Sequence, residues 1–312
     1  MVFWSAAAGA LAADAFPNKP VRIIVNTAPG GLTDVTTRLV AEKMREALGQ
    51  PVIVDNRAGA DGLLGIRAVK GAAADGYTLL ATAGTIAIQP AVKQDPGYDL
   101  MNDFTGVGPM VRAPLLMLSA TSQPYKTLPE FIAHTKAHAS SVSYASAGVG
   151  TTTHIGAATF LQQAGIDPMH VPYKGNGAAM SDVIAGRVDM IFEAYGSGAP
   201  HVKDGRLRAL GVTSAKRLAA LPDVPTVAEQ GMPNYSYYLW LGIVAPAGTP
   251  KPVIDRLSQA VQTATGSKDL RDRMLVEGSE AMSMSAEEFN RFLKQESARM
   301  AKVVADLKLE KQ

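Results

Sequence analysis

Two glycine-rich stretches carry the residue types best suited to chemistry in this chain. They are Ala28-Pro29-Gly30-Gly31-Leu32-Thr33-Asp34 and Ser146-Ala147-Gly148-Val149-Gly150-Thr151-Thr152-Thr153-His154. Each follows a β-branched or small-residue run and precedes a helical pattern. A helix N-terminus presents unpaired N–H groups and about half a positive charge. Glycines let a ligand approach the backbone, and Ser146, Thr151 and Thr152 add hydroxyl donors. The chemistry this predicts is capture of a carboxylate or phosphate. Glycine-rich strand-to-helix turns are also common as plain structure. The pairing of two such loops, able to hold an anion from both sides, is what favours a ligand.

Other constellations are incomplete. Gly148 to Thr153 nearly matches the dinucleotide fingerprint, but Thr153 stands at the third glycine and no acid ends the next strand, which runs into Tyr173-Lys174. Tyr144 to Gly148 resembles a nucleophile elbow without its first glycine, with His154 as the candidate base. A hydrolase or nucleotide-dependent enzyme built on the Ser146–Gly150 loop is therefore the alternative reading. His134 and His138 lack the glutamate of a zinc-protease pattern and read as a solvent face. His170 reads as structural and His201 as surface. Glu193 ends a strand and so points to the cleft, where it suits either a ligand amine or hydroxyl or a salt bridge to Lys174. No metal-ligand cluster and no cofactor motif is complete.

The elements that must position these loops follow a regular grammar. Val21 to Val25 reads as a buried strand, Val35 to Leu48 as a helix that Asp34 caps, and Gly49 as its stop. Val52 to Asp55, a helix from Leu64 to Gly71 and a strand from Thr78 to Thr82 continue it. The pattern repeats with strands at 142–146, 169–173, 188–192 and 207–212, and helices at 154–163 and 178–185. Alternating strands and helices predict parallel sheets covered on both faces, with ligands at the strand ends. Pro114 to Ser119 and Leu239 to Val244 read as strands crossing between two lobes. Amphipathic helices at 255–264, 268–277 and 287–307 then return to the first lobe.

Length and composition set the limits. At about 150 residues per domain, 312 residues suggest two domains. The absence of cysteine excludes disulfides, thiol catalysis and cysteine-rich metal sites. A net charge of +2, with no basic stripe among aromatics, argues against nucleic acid. No apolar run reaches the ~20 residues of a membrane span. Val2 to Ala13 is apolar and small, with Ala10-Leu11-Ala12 and Ala13-Asp14-Ala15 as small-x-small sites, though no basic residue precedes Lys19. We read residues 1–15 as a shortened or misstarted export signal.

In order, FPNKPVRIIV, APGGLTD, LGQPVIVDNRAGADG, DGYTLL, Asp103-Phe104, YASAGVGTTTH, HVPYKG, GRVDMIFE, LRALGVTSAKR, LPDVPTVAEQG, LWLGIVAPAGTP and a C-terminal FxxFLKQE-like helix span about residues 16–304. Each is weak alone. The ordered set resembles the Bug-type solute-binding proteins of tripartite tricarboxylate transporters. The resemblance implies an α/β, two-lobe periplasmic-binding-protein fold (type II-like), with two doubly wound sheets joined by a two-stranded hinge. Lobe 1 is expected over 16–118 and 243–312, and lobe 2 over 119–242.

It also implies a non-enzymatic periplasmic receptor for a small carboxylate: a di- or tricarboxylate, an acidic amino acid or an aromatic acid. The expected partners are the membrane permease subunits and, in a signalling role, a sensor kinase. The receptor itself is expected to be a monomer, with no cofactor and no nucleic acid. The matching positions are Thr27, Pro29, Gly30, Gly31, Thr33, Asp34 and Thr85 in the first lobe. In the second they are Ser146, Gly148, Gly150, Thr151, Thr152, His154, Tyr173, Gly175 and Glu193. Three positions depart from the family pattern. Thr27 stands where Phe is common, which is expected to enlarge the pocket toward an aromatic or six-carbon acid or to add a hydroxyl near the ligand. Asp61 stands in a loop that is usually glycine-rich there, and Glu193 replaces a common Asp.

Overall fold

The computed structural model describes residues 16–311 apart from 139 and 277. The expected export segment, 1–15, lies outside the described residues. β1 (Val21–Val25), β2 (Val52–Asn56) and β3 (Thr78–Ala83) pair in parallel, with α1 (Leu32–Leu48) and α2 (Leu63–Lys70) as the crossovers. Val21, Ile23, Ile24 and Val25 of β1 are buried, as a central parallel strand covered on both faces requires. α1 ends on Gly49, whose left-handed conformation (φ +70°) lets its N–H bond the Arg45 carbonyl. α3 (Thr85–Val92) and the short α4 (Leu100–Asp103) lead into β4 (Phe104–Ala120).

β4 spans 17 residues and joins the two sheets. Its first part runs antiparallel to β9 (Tyr238–Pro246), from Phe104↔Pro246 to Pro114↔Tyr238. From Leu115 onward it pairs antiparallel with β7 (Met190–Ala194) and β8 (Leu207–Val212). The chain makes the second lobe in between: α5 (Leu128–Ala137), β5 (Ser143–Ser146), α6 (Thr152–Ala164), β6 (Met169–Pro172) and α7 (Asn176–Ile184), then β7, α8 (Tyr195–Lys203) and β8. β5 pairs in parallel with β6 and β7. The spatial order is β2-β1-β3-β9-β4-β7-β5-β6. The return to the first lobe passes Thr213, whose hydroxyl accepts the Leu115 N–H at 2.7 Å and donates to the Tyr237 carbonyl at 2.6 Å.

The C-terminal elements pack on the first lobe. α9 (Lys251–Gly266) lies on α1, α10 (Lys268–Val276) leads to β10 (Glu280–Ala281) beside β4, and α11 (Ala286–Asp306) packs on α3 and β4. A capping box between Ser285 and Glu288 starts α11. Its Phe289 lies over β9, where a Cβ at Gly242 would stand 2.4 Å from the ring. No helix among the described residues is long and apolar enough to cross a membrane.

The topology has one consequence for function. β1, β3, β5, β6 and β7 all end on the side where the lobes face, and α1, α3, α6, α7 and α8 all begin there. Open α/β sheets bind ligands at these strand ends.

Candidate functional site

The first loop runs from β1 into α1. Gly30 takes φ +82°, a turn that a side chain would strain. α1 begins at Leu32 with Gly31 as its N-cap, which corrects the expected cap at Asp34. Leu32 and Thr33 precede it in the first turn. Asp34 therefore sits inside the helix and reaches back, accepting the Gly30 N–H at 2.9 Å. Its other oxygen accepts from Arg38 Nε at 3.0 Å and Asn56 Nδ2 at 2.9 Å. Burial works to raise its pKa, but these hydrogen bonds and the Arg38 charge hold it below the usual value.

The Asp34 carboxylate thus shapes the loop from within, and both its oxygens are engaged. Asp34→Ala is expected to lower stability by about 2 kcal/mol, because charged hydrogen bonds to a buried group are lost. Asp34→Asn should lose less. Urea unfolding measures both, and equal, near-zero losses would remove this role.

Thr33 is buried, and its carbonyl accepts from Thr37. Pro29 is exposed on the loop. At the end of β1, Asn26 Oδ1 and Thr27 Oγ1 are buried oxygens without a partner among the described residues. Buried polar atoms are ordinarily satisfied by protein, water or ligand. Asp61, outside this loop, bonds Lys93 Nζ at 2.9 Å.

The second loop is tied down by its own side chains. Thr151 is the N-cap of α6, and its hydroxyl donates to the Gly148 carbonyl at 2.7 Å. The Gly148 N–H donates to Ser146 Oγ, and the Gly150 N–H donates to His154 Nδ1, both at 3.1 Å. Gly175, at φ +102°, donates its N–H to the Ala147 carbonyl. Tyr173 extends away from the loop and donates to Asp182 Oδ2 at 2.6 Å.

Ser146 Oγ lies 2.7 Å from His170 Nε2, so the partner of this serine is His170 and not His154. The ladder explains it. Tyr144 and Ser146 share one face of β5, and His170 lies across from Tyr144 on β6. His170 stacks between Tyr144 and His154, with ring centroids 4.7 and 4.1 Å away. Burial, helped by the neighbouring His170, pushes the His154 pKa down to about 3, and burial pushes His170 down to about 4. Because a backbone N–H can only donate, His154 Nδ1 is the accepting nitrogen and the ring is neutral.

Two of the contacts between the lobes fall on the second loop. Thr85 Oγ1, on the first turn of α3, lies 3.2 Å from Thr152 Oγ1, on the first turn of α6. Gly150 faces Val92 of α3, and a Cβ on Gly150 would stand 2.3 Å from a Val92 methyl. Farther along the cleft the lobes part around a cavity of about 260 Å³. Gly30, Gly31, Leu32, Val35, Thr36 and Leu39 line its first-lobe side, and Ala194, Gly196 and Ser197 its second-lobe side. Met274 and Ser279 close it.

Glu193 sits behind this wall. Its Oε1 accepts from the Ala194 N–H at 2.8 Å and Ser197 Oγ at 2.6 Å, and burial raises its pKa. The cleft therefore unites the Gly30–Gly31 turn with the start of α8, and Thr85 with Thr152. Asp34, His154, Tyr173 and Glu193 bond within their own lobes. Val92, Ser197 and Met274 were missed in the sequence. Only Ser197 left a signal there, four residues after Glu193 at the strand end.

No three His, Asp or Glu side chains among the described residues converge on a metal position. The Ser146–His170 pair is unlike a working nucleophile and base. Ser146 is fully buried and accepts the Gly148 N–H, and no carboxylate among the described residues orients His170.

Residues 36–309 match the profile of the tripartite tricarboxylate transporter family receptor. The solved structure of the periplasmic binding protein BugD is 32% identical, with a TM-score of 0.86 over 95% of this chain and 100% of that one. An adipate-bound protein of R. palustris is 30% identical, with a TM-score of 0.88 over 95% and 100%. MatC of Rhodopseudomonas palustris, with bound malate, is 30% identical, with a TM-score of 0.83 over 93% and 100%.

Proposed function

Because the chain belongs to the tripartite tricarboxylate transporter receptor family, we propose that it captures a small carboxylate between its lobes and delivers it to a membrane permease. The family is one of periplasmic solute-binding receptors, and the protein is a receptor with the two-lobe fold, not an enzyme. In this reading residues 1–15 serve export. Residues 16–118 with 243–312 form one rigid lobe and 119–242 the other, and the receptor acts as a monomer.

The observation that carries the reading is the meeting of α3 and α6 across the cleft at Thr85 and Thr152. Each helix start bears about half a positive charge, so apposing two of them is unfavourable by itself. An anion seated beside this contact, facing both helix starts, turns that repulsion into attraction for both lobes. Closure is then linked to occupancy, as hinge closure around ligands requires. The adipate and malate bound by the two R. palustris proteins support a carboxylate as that anion.

A thermal-shift screen tests the proposal with succinate, malate, citrate, aspartate, glutamate, adipate, nicotinate, benzoate and terephthalate. A ligand at 100 times its Kd adds about 2.7 kcal/mol to the folded state. We expect at least one acid to do so. A flat response from protein shown by mass spectrometry to carry no co-purified acid would overturn the reading.

A further inference from the structure

We propose that Asn26 and Thr27, at the end of β1, form a subsite that reads a hydroxyl on the ligand, so that this receptor prefers small hydroxycarboxylates to the same acids without the hydroxyl. The inference rests on the carboxylate-receptor reading above and names a second group that the bound acid carries. Asn26 Oδ1 and Thr27 Oγ1 are buried oxygens without a partner among the described residues, and Asn26 is 5% exposed. A buried polar atom left unpaired costs about as much as a lost hydrogen bond, so such atoms mark a place where another group is received.

Their surroundings fix where they lie. Asn26 Nδ2 donates to Thr82 Oγ1 at 3.2 Å. A Cβ on Gly65 would stand 2.8 Å from Asn26 Cβ, and one on Gly62 would stand 2.7 Å from Nδ2. The side chain therefore runs along the first turn of α2 toward its start, at the strand ends that face the cleft. The Thr27 carbonyl accepts from Asn56 Nδ2 at 3.2 Å, which leaves the Thr27 hydroxyl as the unpaired group. β1 and β3 are in parallel register, with Val25 beside Ala81. Continued by two residues, that register sets Thr27 beside Ala83, two residues before Thr85. Neighbouring strands lie about 4.8 Å apart. An acid whose carboxylate sits beside the Thr85–Thr152 contact thus extends only about one strand spacing to reach the end of β1.

The chemistry of the pair selects the group. The amide oxygen can only accept, and the threonine hydroxyl can also donate. One ligand hydroxyl satisfies both, by donating to Asn26 and accepting from Thr27. An ammonium would need a counter-charge in so buried a place. The acids beside the pair are already engaged, Asp34 with Gly30, Arg38 and Asn56, and Asp61 with Lys93. A methylene in place of the hydroxyl would shut water out and leave both oxygens unpaired. Sites built to hydrogen-bond a hydroxyl reject analogues that lack it for this reason.

Calorimetric titration of the whole protein with three matched pairs tests the proposal: lactate and propionate, malate and succinate, citrate and tricarballylate. Each pair differs only by the hydroxyl, so the ratio of the two affinities separates it from size and charge. In every pair that binds, the hydroxy acid is expected to bind at least tenfold tighter, and malate at least tenfold tighter than aspartate. Thr27→Val keeps the shape and removes the hydroxyl. It should bring the ratio to within threefold of one, a change of preference that a merely structural Thr27 would not produce. Asn26→Leu should act likewise, and Thr27→Val decides where that variant fails to fold. Native protein that binds the hydroxyl-free acids or aspartate as tightly as the hydroxy acids would overturn this inference and leave the receptor reading intact. So would an unchanged ratio in Thr27→Val, or binding confined to hydroxyl-free acids of the wider panel. Absence of binding by all of these acids and by the rest of that panel would overturn both.

Discussion

Gly150→Val should leave the protein folded yet weaken ligand binding at least 100-fold, a loss of about 2.7 kcal/mol. The reason is contact between lobes. A Cβ at Gly150 would stand 2.3 Å from a methyl of Val92, which is 1% exposed and belongs to the opposite lobe. Neither side can give way: Val92 is packed in the hydrophobic core, and the Gly150 N–H is held by His154. The lobes must therefore stay apart at the point where Thr85 and Thr152 now meet.

Valine at Gly150 also suffers backbone strain, because φ is +72° there. Strain of that kind costs of order 1–3 kcal/mol. Gly165→Val isolates it. Gly165 ends the same helix at φ +63° with nothing within 4 Å of a Cβ. The two variants should lose similar stability by urea unfolding, and only Gly150→Val should lose binding. Small-angle scattering gives a second readout. The acid that binds the native protein should shrink the radius of gyration of native and Gly165→Val protein but not of Gly150→Val. Native affinity and full compaction in Gly150→Val would mean that the lobes close elsewhere.

Much of this cleft is legible in the sequence because glycine is the residue that a left-handed backbone demands. Gly30, Gly148, Gly150 and Gly175 all adopt positive φ at the loops where they mark strand-to-helix turns. Asp34 misleads for a physical reason. Asp is a strong N-cap residue, but Leu32 and Thr33 can enter the helix ahead of it, and a carboxylate in the first turn is equally stabilised by the helix end. α3 is hidden because TIAIQPAV carries β-branched residues and Pro90, poor helix formers in isolation. Burial of Ile86, Ile88 and Val92 under α11 overrides that local preference. The Ser146–His170 pair and the cavity wall are invisible for another reason. They join residues 24 and more than 200 positions apart, and only sheet register and the return of α10 to the first lobe bring them together.

The stacked histidines make a strong acid sensitivity the second expected result. His154 is 2% exposed and carries a neutral ring that accepts the Gly150 N–H, while His170 packs 4.1 Å away. Their pKa values fall to about 3 and about 4, against about 6.5 in an unfolded chain. A depressed folded pKa means that the unfolded state binds the proton more readily. The stability these rings contribute is therefore complete above pH 6.5 and is lost as pH falls toward 4 and then 3.

At 1.36 kcal/mol per unit, acidification from pH 7 to 4 removes on the order of 3 kcal/mol for each ring. Two rings together approach the entire stability of many domains, about 5–15 kcal/mol. Asp34 does not confuse the window, because its lowered pKa places its loss below 3.8. Glu193 works in the opposite sense. Its raised pKa contributes stability that is present in acid and lost as pH rises, so it offsets part of the histidine effect.

Paired variants separate these contributions. His154→Asn keeps an acceptor near Nδ1 for the Gly150 N–H, and His170→Gln keeps a polar group near Nε2 for Ser146. The double variant should be less stable than the native protein at pH 7 and should lose far less between pH 7 and 4, measured by urea unfolding at each pH. An equal loss in both proteins would assign the acid sensitivity to other groups. The coupling also reaches the cleft. A protonated His154 must donate at Nδ1 and can no longer accept from Gly150. The loop that faces Val92 thus loses its anchor in the same pH range in which the core is weakened.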